Sequence, residues 1–174
     1  PFWKQPASGW TETVSSGAYA FWLIAHGAGR LMERQGAGLI VAVTELTFDH
    51  QVATAHTSLA EAFAHLGHYS INTLVLDMAR DARMAGITVV GLLPGFMKTE
   101  RVQMHLKRMD EETRAKMRYD LAESPQYAGR AVVALATCSE PDYHNGQLVH
   151  VSDLAKRYGF TDIDGSRPGN FYRA

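Results

Sequence analysis

At 174 residues the chain is long enough for one domain with a core of its own, since single domains commonly run to about 100–150 residues. Hydrophobic residues make up 46% and charged residues 20%, with a formal charge of −1. That balance excludes a disordered chain and lacks the basic footprint of a nucleic-acid-binding surface.

From Trp10 to Arg34, the residues Val14, Ala18, Phe21, Ala25, Ala28 and Met32 recur at spacings of three and four. This predicts one helix over about 12–34 with a continuous buried stripe. The run Leu39 to Thr44 is short, β-branched and almost wholly apolar, as a strand covered on both faces should be. A polar loop follows from Glu45 to Gln51. A second long helix is predicted over about 58–84, carrying Leu59, Ala62, Phe63, Leu66, Leu74, Leu76 and Met78, and stopping at Gly86. Ile87 to Leu93 reads as another buried strand.

The segment 99–123 is rich in charge and methionine, and Asp110, Glu111 and Glu112 mark a helix start within it. It is expected to be a lid or surface insertion. Ser124 as cap and Pro125 in the first turn open a helix that runs to Cys138. Asn145 and Gly146 make a turn, and Gln147 to Val151 forms a third strand. Ser152 to Ala155 starts a short helix, and the Gly/Pro-containing end from Gly159 reads as an irregular tail.

Helices separating strands require long crossovers, which make neighbouring strands parallel and place helices on both faces. The predicted architecture is therefore α/β, the later half of a doubly wound parallel sheet, with strands at about 39–44, 87–93 and 147–151. No repeat, low-complexity tract or linker divides it, so 1–174 is expected to be a single, partial domain. Cys138 is the only cysteine, which rules out an intramolecular disulfide and suits a reducing compartment, the cytoplasm being the expectation. Apolar stretches are interrupted within about 10 residues, short of the roughly 20 that span a bilayer, so no membrane span is expected. The opening, Pro1 to Pro6, has neither an initiator Met nor a signal-peptide pattern and reads as the middle of a longer sequence.

The stretch from Gly86 to Thr99, with Pro94, Gly95 and Thr99 following an apolar strand, resembles the strand and Pro-Gly-x-x-x-Thr turn of the short-chain dehydrogenase/reductase family. Trp10 to Met32 is similar to that family's dimer-forming helix, and Gly38 to Thr44 to its catalytic-serine strand. Ser124 to Val151 is similar to its last helix and strand, and Leu154 to Gly165 to the end of one subgroup. The resemblance covers nearly the whole chain. It implies a Rossmann-like sheet, NAD or NADP as cofactor, and a homodimer built by helices 12–34 and 58–84. It also implies that Pro94, Gly95, Phe96 and Thr99 border the nicotinamide. The family's first strand and glycine-rich turn, which set backbone N–H groups against the pyrophosphate, have no counterpart here, so this chain alone is not expected to bind the cofactor. His26, Gly27, Ala28 and Gly29 lie inside a helical stripe and do not replace that turn.

In the family a Tyr transfers the proton, and a Lys four residues later lowers its pKa and holds the ribose. Both share one helix face. Counting back without gaps from Pro94 and Ala79 puts Ala64 in the Tyr position and His68 in the Lys position. Ala cannot move a proton. Tyr69 lies five residues on from Ala64, about 140° round the helix. The family's Ser falls at Glu45, or at Thr44 one place earlier, and its structural Asn falls at Gly17. The segment between Glu45 and Ala64 is several residues longer than the family's spacing. The resemblance therefore implies Thr44, Glu45 and His68 as candidate catalytic residues of a degenerate site without standard hydride transfer.

Glu61, His65 and His68 share a helix face by their spacing. A carboxylate and two imidazoles suit acid–base work or part of a metal site, and a solvated face or dimer seam is the simpler account. No His-Glu-x-x-His run or second cysteine is present, so no metal site is expected. His50, His56, His105, His144 and His150 read as surface residues, and Asp162 to Gly165 as a capped turn. Trp3, Trp10 and Trp22 read as packing residues. Three functions stand at this point: part of an active NAD(P)-linked oxidoreductase, a non-catalytic dimerising member, or a repurposed enzyme using Glu61, His65 and His68.

Overall fold

The computed structural model describes residues 2–4, 6–45, 59–112 and 119–170. The polar loop with His50 and His56, the inserted segment before residue 59, and the continuation of the helix predicted from Asp110 lie outside these residues. So does the side chain of Glu61. The chain packs as two compact units, one comprising 1–92 with 140–148 and the other 93–139 with 149–174.

The regular elements are α1 (Ser16–Gln35), β1 (Gly38–Val43), α2 (Leu59–Ala82), β2 (Ile87–Leu93), α3 (Glu100–Leu106), α4 (Pro125–Thr137), β3 (Leu148–His150) and α5 (Val151–Tyr158). The three strands form a parallel sheet in the order β1-β2-β3, and β1 pairs with β2 from Gly38 opposite Ile87 to Val43 opposite Leu92. Fold class, strand order and strand positions match the sequence expectation to within two residues at each end.

In the first unit, Ala42, Val75, Ala79, Ile87 and Val89 form a buried core, with Phe21, Met32, Ile40, Ile71 and Leu148 packed against it. Each fully buried branched side chain there contributes about 1.5–3 kcal/mol. The apolar periodicity of the first helix places Phe21 and Met32 on this core, whereas on α2 the core face is Ile71, Val75 and Ala79, and Leu66 and Leu76 of the expected stripe are 43% and 52% exposed. The first helix is not uniform, however: a short helical turn at Ser8–Trp10 and a π-helical turn at Thr11–Ser15 precede α1. A Cβ at Gly67 would lie 3.1 Å from the Thr13 carbonyl oxygen, so the absence of a side chain lets α2 approach that turn closely. α1 stops at Gly36, whose φ of 68° is the left-handed conformation that favours glycine.

Asn145 does more than make a turn. Its Oδ1 accepts the Val89 N–H at 2.9 Å and its Nδ2 donates to the Ala79 carbonyl at 2.9 Å, bracketing the end of α2 to β2. His144 and His150 are buried, at 3% and 8% exposure, a correction to their reading as surface residues. His144 closes the 3-10 turn Pro141–His144 and His150 ends β3, and hydropathy alone does not reveal that either position is covered.

In the second unit, Ser124 caps α4 as expected, its Oγ accepting the Tyr127 N–H at 3.3 Å. The end beyond Gly159 lacks regular structure but is anchored. Asp162 accepts the Ser124 N–H at 2.8 Å, the Ser124 hydroxyl and the Ile163 N–H at 2.7 Å. Arg130 donates to the Thr161 carbonyl at 2.6 Å, and Phe160 meets the Tyr127 ring edge-on at 5.4 Å. α3 is an addition: the sequence reading starts a helix at Asp110, whereas Thr99 caps one at Glu100 through its Oγ1 and the Val102 N–H.

Candidate functional site

Thr44 follows β1 directly. Its N–H donates to the Leu92 carbonyl at 2.9 Å and it is 2% exposed, so the sheet fixes its hydroxyl at the carboxyl end of the strand. His68 faces it from α2, with Nδ1 3.3 Å from Thr44 Oγ1 and Nε2 3.4 Å from Glu45 Oε2. The imidazole thus lies between a buried hydroxyl and an exposed carboxylate. With the ring proton on Nε2, facing Glu45, Nδ1 accepts from the Thr44 hydroxyl. The row hydroxyl–imidazole–carboxylate is a path along which a proton can move. As an ion pair, Glu45–His68 contributes little to stability, since Glu45 is 60% exposed.

Three positions that the sequence singles out, Thr44, Glu45 and His68, therefore come together. Ala64 lies one helical turn before His68 on the same face of α2 and has no proton to give. Tyr69 is 43% exposed and adjacent to His68, about 100° round the helix from it. Gly17 lies in α1 just after the π-helical turn, where no side-chain amide is available. Among the described residues the partners that the structure gives His68 are Thr44 and Glu45.

Pro94, Gly95, Phe96 and Thr99 belong to the second unit, where the turn they form closes on Glu123. The Lys98 N–H donates to the Glu123 carbonyl and the Glu123 N–H to the Phe96 carbonyl, both at 2.8 Å. The Gly95 N–H donates to the Glu123 carboxyl. Glu123 is 1% exposed, and its Oε1 has no hydrogen-bond partner among the described residues. Burial, opposed by the Gly95 bond and reinforced by the nearby Asp162 charge, raises its pKa to about 7. Neither Glu123 nor Asp162 stands out in the sequence. The only local signal is that Glu123 directly precedes the Ser124–Pro125 helix start. Among the described residues no group of three or more His, Cys, Asp or Glu side chains is placed to hold a metal ion.

Residues 1–153 match the family model described as enoyl-(acyl carrier protein) reductase. The chain belongs to the short-chain dehydrogenase/reductase family. It is similar to mouse dehydrogenase/reductase SDR family member 1, with 35% identity over 98% of this chain and 54% of that protein. The human protein of the same name is 32% identical, again over 98% of this chain and 54% of its own length. The chain thus spans about half the length of the curated relatives it matches.

Among solved structures, a short-chain dehydrogenase/reductase fold is shared with a putative NAD(P)-dependent gluconate 5-dehydrogenase from Beutenbergia cavernae with bound NADP. That likeness has a TM-score of 0.66 and 20% identity, covering 87% of this chain and 59% of that one. Hydroxysteroid dehydrogenase from Escherichia coli superposes with a TM-score of 0.61 and 20% identity, covering 85% and 57%. Among the described residues no helix is long and apolar enough to cross a membrane.

Proposed function

We propose that this chain is a short-chain dehydrogenase/reductase homologue whose proton-transfer pair has been replaced, so that these residues neither perform standard hydride transfer nor hold NAD or NADP by themselves. The observation that carries this reading is the state of His68: both ring nitrogens are directed at Thr44 and Glu45, and the position one turn earlier is Ala64. In the family that lysine position offers a cation to the ribose and to the tyrosine. An imidazole with both nitrogens directed at Thr44 and Glu45 leaves no N–H free for a ribose hydroxyl. At the nicotinamide turn the fit is no better, since the Gly95 N–H is directed at Glu123 and the Thr99 hydroxyl caps α3.

The same reading gives the chain a partner of its own kind. Tyr19, Leu23, Ile24 and Leu31 on α1 and Leu66, Tyr69 and Leu76 on α2 are 43–72% exposed. Large apolar side chains left in water on two long helices suit a contact between copies of this chain. A second reading, acid–base chemistry without nicotinamide, is favoured by the Thr44–His68–Glu45 row itself.

The test is a broad carbonyl-reductase screen with NADH and NADPH, run on the chain and on its Glu61→Ala/His65→Ala/His68→Ala variant. No cofactor-dependent turnover by either is the expected result. Cofactor-dependent reduction with Ala64 in place would overturn the first reading, and turnover in a separate ester-hydrolysis screen, which needs no reductant, that is lost in His68→Ala would support the second.

A further inference from the structure

The second unit contains a cavity of about 400 Å³, lined by Phe96, Met104 and Leu106 and by Arg101, His105 and Arg108. It falls within the roughly 300–1,000 Å³ of small-molecule sites. Its two kinds of lining follow from α3. Arg101, His105 and Arg108 are spaced by four and three, which stacks them on one helical stripe, and the Arg108 N–H donating to the His105 carbonyl carries that stripe past the helix end. Leu106, 6% exposed, forms an apolar floor. Phe96 enters from the Pro94–Gly95 turn.

A solvated basic face is the plain alternative, and it accounts for the charges but not for their sharing a concavity with Phe96, Met104 and Leu106. The guanidinium groups of Arg101 and Arg108 border the same concavity. Among the described residues no carboxylate lines the cavity and none of the three basic residues makes an ion pair. An anion seated there gains charge-assisted, bidentate hydrogen bonds from guanidinium.

We propose that this cavity binds a small soluble amphiphile: an apolar body against Phe96, Met104 and Leu106, and one anionic head, carboxylate or phosphate monoester, against Arg101 and Arg108. This goes beyond the functional reading above and requires no hydride transfer.

The test is calorimetric titration of the chain with octanoate, octyl phosphate and octanol, and separately with anionic phosphatidylglycerol vesicles. The expected result is saturable one-to-one binding of at least one of the two anions, with octanol about tenfold weaker or more. The stronger of the two anions identifies the head group. In the Arg101→Gln/Arg108→Gln variant, anion binding should weaken by about tenfold or more, while octanol binding stays unchanged. Both arginines are exposed, and a melting curve matching the parent verifies that the variant is folded. The proposal is overturned by octanol binding as tightly as the anions, by no saturable binding of either anion, by anion binding that survives the double substitution in folded protein, or by binding to vesicles alone.

Discussion

Glu123 and Asp162 bring two buried carboxyl groups together within one unit, at 1% and 3% exposure, yet they are supplied with donors unequally. Asp162 takes three hydrogen bonds, two from Ser124 and one from Ile163. Glu123 takes the Gly95 N–H while its Oε1 has no partner among the described residues. Desolvation and the Asp162 charge therefore act on Glu123, whose pKa rises from 4.5 to about 7.

The pH dependence of stability follows from that inequality. A carboxyl group whose folded pKa is raised keeps its proton in the folded state after the unfolded chain has lost it. Folding stability therefore falls as pH rises from about 4.5 to about 7 and is level above, with a total of roughly 3 kcal/mol. Glu123→Gln removes the titration. Urea melts should show the variant more stable than the parent at pH 8 and close to it at pH 4.5. An unchanged difference between the two pH values would show that Glu123 does not ionise in this range.

Asp162→Ala is expected to act in two ways. It leaves the buried Ser124 N–H without its acceptor and frees the tail, costing about 2–4 kcal/mol. It also removes a neighbouring negative charge, so the pKa of Glu123 should fall, which a shallower pH dependence of the melting midpoint would reveal. A loss of stability with the pH dependence intact would mean that burial alone governs Glu123.

Asn145→Ala removes one donor and one acceptor that bracket α2 to β2. The expected cost is about 2–3 kcal/mol in denaturant unfolding, because the Val89 N–H and the Ala79 carbonyl both lose a partner. A cost below about 0.5 kcal/mol would show that water replaces the side chain at both ends.

The exposed apolar residues of α1 and α2 predict self-association. Sedimentation equilibrium should find a dimer at micromolar concentration, and Ile24→Asp/Leu76→Asp should shift it to monomer. A well-folded monomer of the unaltered chain would contradict the pairing. Both substituted side chains are more than half exposed, so the monomeric variant should still fold.

What the sequence made legible is what short-range chemistry determines. The apolar runs that form β1 and β2, the Ser124–Pro125 helix start and the three-and-four spacing of Val14, Ala18, Phe21, Ala25, Ala28 and Met32 each carry their structure locally. The meeting of Thr44 and His68 was legible in part, because counting along the family pattern places both at the same site. The rest depends on contacts remote in sequence. Glu123 sits at the end of a charge-rich segment, and nothing near it announces that it will be buried against Gly95. Asp162 reads as a turn residue until its partner, Ser124, 38 positions earlier, comes into view. His144 and His150 are polar residues whose burial is set by the elements around them. α3 is short and polar, so its periodicity is weak, and Thr99, its cap, is at the same time the last residue of the turn motif.

The most direct test of the altered site is calorimetric titration of the chain with NADH and NADPH, repeated on His68→Ala. With both His68 nitrogens engaged and Ala64 beside them, no binding in the micromolar range is expected for either cofactor. Micromolar binding that is lost on removing His68 would contradict the account, since it would place the imidazole on the cofactor after all.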